Sequence, residues 1–142
     1  TPGPSWQQLA SSPPAKQIGV RFLSPTAFKN GPRHLTLPLP RNVFGSPLRL
    51  WRAFAPEGMQ EPPFEWLDWC EKNLFIIEHR IETVRAAISK RGTFTGFWGE
   101  VWYEAHGGSN EELAFWKAMS DLGVFHGVGH KATMGFGALD RI

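Results

Sequence analysis

Apolar and polar positions along this chain change period several times, and each change marks an element. Ile18, Val20 and Phe22 alternate with Gly19, Arg21 and Leu23, the two-residue period of a strand. Residues 1 to 16, rich in Pro, Ser and Gln, read as a linker, so that the domain proper runs from 17 to 142. Pro32, Pro38 and Pro40 place a loop over 30–42, and a helical region follows to about Ala55 with Leu48 and Trp51 on one side. Pro47 either starts that helix with Ser46 as its cap or breaks it midway. Pro62-Pro63 precedes a second helix, near Phe64 to Leu74, which puts Trp66, Trp69, Cys70 and Asn73 on one face. Phe75 to Ile88 is strand-like with Ile77, His79 and Ile81 on one side, and Ser89 to Gly92 turns the chain. Thr93 to Ala105 is rich in the aromatic and β-branched residues of strands and completes a hairpin. Ser109 with Glu112 three residues on is a capping box. Phe115, Ala118, Met119 and Leu122 line one face of the helix that follows, and Gly123 is placed to close it. The final strand is expected to begin near Ala132 or Thr133.

Set in order these elements read β-α-α-β-β-α-β. Without the extra helix the order is βαββαβ, a ferredoxin-like α+β sandwich of the kind the RNA-binding RRM shares, ending in a glycine-rich loop and a last strand. Fold alone does not decide function. The 142 residues suffice for one real core, and 42% apolar with 20% charged is ordinary for a globular domain. Cys70 is the single cysteine, which excludes an internal disulfide and a multi-cysteine metal site. No apolar run approaches the ~20 residues of a membrane span. No signal peptide is visible, so a cytoplasmic setting is expected. The chain starts Thr-Pro-Gly-Pro-Ser without an initiator Met and reads as a fragment of something longer.

Charge sharpens the picture through its distribution. The net charge is only +2, yet residues 1 to 56 carry Lys16, Arg21, Lys29, Arg33, Arg41, Arg49 and Arg52 with no Asp or Glu, while the next 56 residues hold most of the acids. An acid-free basic stretch suggests a side that faces a polyanion; a solvated surface balanced by the acidic middle is the alternative.

The last sixteen residues carry the chemistry. Gly127, Gly129, Gly135 and Gly137 form two Gly-apolar-Gly pairs, with His130 and Lys131 in the gap between them. Glycine allows positive φ and close backbone approach, and a cation inside such a loop suits an anion. One reading has backbone N–H groups and Lys131 holding phosphates; the other has the glycines simply packing the last strand. His34, His79, His106, His126 and His130 lack a tight metal-ligand spacing, and Gly127 and Gly129 argue against a helix that would bring His126 and His130 to one zinc ion. Neither a metal nor any other cofactor is expected. Metal-free RNA cleavage needs a base, an acid and a cation. His34 beside Arg33, or His130 beside Lys131, would be adequate, and these are the candidate catalytic residues.

The glycine spacing resembles the carboxy-terminal loop of the RAMP superfamily, the repeat-associated proteins of CRISPR systems. The closer likeness is to the carboxy-terminal domain of the endoribonucleases that process CRISPR precursor RNA. Ile18 to Lys29 resembles that domain's opening strand, Val43 to Trp51 its first helix, and Gly96 to Tyr103 the strand before its last helix. The resemblance implies a whole enzyme that cuts repeat transcripts without metal and leaves a 2′,3′-cyclic phosphate. It also implies a second, amino-terminal ferredoxin-like domain that holds the general-base His and is missing from this chain. This domain would then hold RNA through Gly127, Gly129, His130, Lys131, Gly135 and Gly137 together with Lys29, Arg33, His34, Arg41, Arg49 and Arg52. Further expected partners are a second copy of the chain or other CRISPR subunits.

Seven Trp and eleven Phe leave one more question. Trp51, Trp66, Trp69 and Trp116 read as core or domain-interface residues. Trp98 and Trp102 share a strand side with Phe94, Gly96 and Glu100, which would suit a base-stacking platform. The opposite side is equally apolar, which favours burial on both. Two functions of different class follow: an RNA-holding domain of a nuclease, or a structural module whose glycine loop packs on protein and whose basic segment docks a partner.

Overall fold

The computed structural model describes residues 3–59, 61–88, 92–130 and 136–142. A four-stranded antiparallel sheet forms its frame, in the order β4-β5-β1-β6. Strand β1 is Gln17–Thr26, β4 is Leu74–Ala87, β5 is Thr93–Ala105 and β6 is Leu139–Arg141. Helices α2 (Pro40–Phe54) and α4 (Asn110–His126) cross between the strands, giving the βαββαβ order of a ferredoxin-like fold, and α3 (Trp66–Asn73) is the extra helix. Register is fixed by burial. Ile18, Val20 and Phe22 of β1 lie opposite Tyr103, Val101 and Gly99 of β5, and the large side chains among these are at most 5% exposed. The polar partners, Arg21 against Glu100, face the other side. A slip of one residue would exchange the two faces.

Aromatic rings build the layer between sheet and helices. Phe44 of α2 meets Tyr103 edge-on at 5.2 Å and Trp116 of α4 at 5.8 Å, and Trp66 of α3 meets Phe115 at 4.9 Å. Trp51, Trp66, Trp69 and Trp116 are all buried, as their helix positions implied. Burial pushes the Cys70 thiol far above its ordinary value, so it is an inert core side chain. Tyr103 is fully buried and donates its hydroxyl to the Pro38 carbonyl at 2.7 Å, tying the proline-rich loop to the sheet. Tyr103→Phe strands that carbonyl and is expected to cost about 1–2 kcal/mol, read as a drop in melting temperature of roughly 3–8 °C.

Six local expectations are corrected. The stretch 1–16 is not plain linker. Ser5 and Gln8 form a capping box that starts helix α1 (Trp6–Ala10), Leu9 is 2% exposed, and Trp6 meets Trp51 edge-on. The loop over 30–42 contains a small hairpin, β2 (Phe28–Asn30) with β3 (Arg33–Leu35), turned by Gly31 at positive φ. Pro47 neither starts nor breaks α2. Leu39 is the N-cap, Pro40 opens the helix, and Pro47 is buried inside it. Gly123 does not end α4. The helix continues to His126 and Gly127 closes it at φ 90°, while Gly123 keeps clear the place where a Cβ would meet a Val128 methyl at 3.1 Å. Among the described residues the last strand starts at Leu139 rather than near Ala132 or Thr133, both of which lie outside them.

On β4 an irregularity between Ile76 and Glu78 leaves Ile77 out of the ladder and 46% exposed, so Ile76, not Ile77, shares a face with His79 and Ile81.

Candidate RNA interface

Three cations of the acid-free stretch, Lys29, Arg41 and Arg49, line one groove. Helix α2 carries Arg41 and Arg49 two turns apart on one face, and the β2–β3 hairpin brings Lys29 alongside. The glycine loop adds Gly129 and His130, and Phe28 with Leu67 of α3 supplies apolar wall. The hollow has a volume of about 510 Å³, and five of the sequence's RNA-binding candidates line it. Lys29 pairs across the hairpin with His34, whose ring lies 4.8 Å from that of His130. Both imidazoles border Phe94, which stacks on Phe136 at 4.4 Å. The two histidines singled out for catalysis, more than ninety residues apart in sequence, therefore meet. With Lys29 opposite His34 they offer a base, an acid and a cation in one place.

Of the remaining candidates, Arg33 is exposed at the hairpin turn, and Arg52 lines a separate hollow with Trp51, Pro56 and Glu57. Lys131 and Gly135 lie outside the described residues. Phe28, Leu67 and Asn42 line the groove without having been singled out, since nothing in their local sequence distinguishes a lining residue from a core one.

The glycine loop differs from a cradle of free amides. Gly127 N–H donates to Gly123 O, Val128 N–H to Gly137 O, Gly129 N–H to Ser46 Oγ, His130 N–H to Ala27 O and Gly137 N–H to Pro25 O, all within 2.7–3.1 Å. A Cβ on Gly129 would sit 2.5 Å from Ala27 O, and one on Gly137 only 1.8 Å from Val128 O. Ser46 receives the Gly129 amide instead of capping a helix. Among the described residues these glycines let the loop thread between β1, α2 and β6, and the cations of the groove, Lys29, Arg41 and Arg49, are carried by side chains of other elements. A bulky residue at Gly129 would therefore disturb the fold, since its side chain would collide with the Ala27 backbone.

A second hollow, of about 570 Å³, lies on the open face of the sheet. Arg21 and Arg80 there stand among Glu82 and Glu100, with Arg21 ion-paired to Glu100 at 3.1 Å and Trp98 Nε1 donating to Glu82 at 2.8 Å. Balanced charge makes it the weaker place for a polyanion. Trp98 is 39% exposed on this face but Phe94 is buried, so the proposed stacking side is covered at one end. Among the described residues no group of three His, Cys, Asp or Glu side chains is placed to hold a metal ion, and no helix is long and apolar enough to cross a membrane.

Comparison with known proteins identifies the family of this fold. The family model described as CRISPR-associated endoribonuclease Cas6 matches residues 20–139. A curated relative of that name from Mycobacterium tuberculosis is 28% identical over 127 residues, 89% of this chain and 39% of its own length. A Thermus thermophilus Cas6 structure superposes with a TM-score of 0.86 at 30% identity, covering 98% of this chain and 58% of that one. A Cas6 product complex gives the same TM-score at 27% identity, over 98% of this chain and 56% of the other. The chain thus spans somewhat over half the length of these solved relatives and about two fifths of the curated one. With the ferredoxin-like sheet, the glycine-rich loop and the family model all falling on the same residues, this chain belongs to the CRISPR-associated endoribonuclease Cas6 family.

Proposed function

We propose that this chain is the RNA-holding domain of a CRISPR repeat-RNA endoribonuclease, retaining precursor transcript for metal-independent cleavage to mature guide RNA in the cytoplasm. The observation that carries the reading is the groove in which Lys29, Arg41 and Arg49 converge beside His130. The relatives' printed names, and a solved relative bound to its product, support it. In this reading a further ferredoxin-like domain supplies the general-base His, and a second copy or other CRISPR subunits join the assembly. In the same reading His34 and His130, whose rings lie 4.8 Å apart, contact RNA.

The other reading, a structural module that docks a partner subunit, draws on the glycine loop, whose amides bond to protein. End-labelled repeat RNA beside a scrambled RNA, both in EDTA, separates the two. Selective retention without cleavage supports the RNA-holding domain. Cleavage that His34→Ala with His130→Ala abolishes would move the active site into this chain. Absence of both retention and cleavage would favour the docking module.

A further inference from the structure

The groove's three long cations are not equivalent. Arg41 Nη1 donates to Asp68 Oδ1 at 2.8 Å and to Glu71 Oε2 at 3.2 Å, whereas Lys29 and Arg49 make no ion pair among the described residues. Asp68 and Glu71 stand three residues apart on α3, so they share one face, and Leu67 of the same helix lines the groove. The bond from Arg41 holds the Asp68 carboxyl below its usual range, aided by a hydrogen bond shared with Glu65, and Asp68 in turn raises Arg41. The pair is therefore fully ionised at neutral pH. All three side chains are close to half exposed or more, so the acids are not sealed away from an incoming phosphate. A phosphate reaching Arg41 must approach two carboxylates at the same time.

We infer that Asp68 and Glu71 are specificity-determining residues of this groove: by engaging Arg41 they withhold one cation from the RNA backbone. Retention then depends on Lys29, Arg49 and contacts to the apolar wall rather than on bulk charge. Phosphate contacts carry no sequence information, whereas base contacts do. A groove deprived of one phosphate contact gains selectivity at the expense of affinity. This inference rests on the RNA-holding reading and deepens it.

The test compares the chain with Asp68→Asn/Glu71→Gln, with Arg41→Ala, and with the triple variant, on repeat and scrambled RNA across a salt series. Freed Arg41 adds about one phosphate contact, which steepens the slope of log affinity against log salt by about 0.7 for a single strand. The double variant should therefore lose roughly threefold more affinity than the parent chain between about 50 and 200 mM salt. It should also bind scrambled RNA more tightly, narrowing the repeat-to-scrambled ratio. In the triple variant both changes should vanish, because the acids act through Arg41. A double variant that melts like the parent yet keeps its slope and its ratio would overturn the inference and leave the groove reading standing. A gain that persists without Arg41 would also overturn it, since the acids would then be repelling RNA directly. A parent chain that retains neither RNA would overturn the groove reading itself, and the inference with it.

Discussion

Gly137→Ala is expected to lower the melting temperature by roughly 10 °C or more, at a cost of about 3–4 kcal/mol. Gly137 sits at φ 75°, and its new Cβ would lie 1.8 Å from the Val128 carbonyl oxygen, a backbone atom that cannot swing aside. Relief requires moving the loop, and the loop is held by Val128 N–H on Gly137 O at 2.9 Å and by Gly137 N–H on Pro25 O at 3.1 Å. Gly31→Ala provides the comparison. Its φ is 63°, but nothing lies within 4 Å of the Cβ position, so only the left-handed backbone is penalised, at about 1 kcal/mol. Thermal and urea melts of the two variants separate steric from conformational cost. Equal shifts would mean that the loop yields more easily than its hydrogen bonds imply.

Lys29→Ala together with Arg49→Ala should reduce repeat-RNA retention by at least about tenfold near 0.1 M salt and make the salt slope shallower by about 1.4, the value for two lost single-strand phosphate contacts. Both side chains are exposed and line the groove from different elements, so the fold should be preserved within about 0.5 kcal/mol. A retained slope would show that phosphates pass elsewhere, and the open sheet face with Arg21 and Arg80 would be the next place to change.

The parts of this architecture that were legible in the sequence are those with local causes. Ser109 and Glu112 cap α4 through their own side chains, and the β4–β5 hairpin joins two adjacent runs of strand residues. The run of basic residues without acids pointed to the groove because Lys29, Arg41 and Arg49 fold onto one side. What stayed hidden depends on distant neighbours. Gly123 resembles a helix terminator, yet its role is decided by Val128 and Leu139 packing beside it. Pro47 is accommodated in mid-helix, where it is buried under tertiary packing. Arg41 looked like one more free cation, since its acidic partners lie 27 and 30 residues away in a stretch of opposite charge. The short β2–β3 pairing was masked by Gly31 and Pro32, which locally signal loop.

The position of β1 has a consequence for how the molecule reaches its native state. Gln17–Phe22 pairs on one side with residues 99–104 and, over Val20–Phe22, on the other with 139–141, so neither neighbour is close in sequence. Closing spans of this size before any pairing is rewarded slows folding. Meanwhile the β4–β5 hairpin can zip locally, leaving Ile18, Val20 and Phe22 as an unpaired apolar segment. That segment is the one most exposed to mispairing with another chain, so recovery of folded protein from denaturant should depend more on dilution than on time.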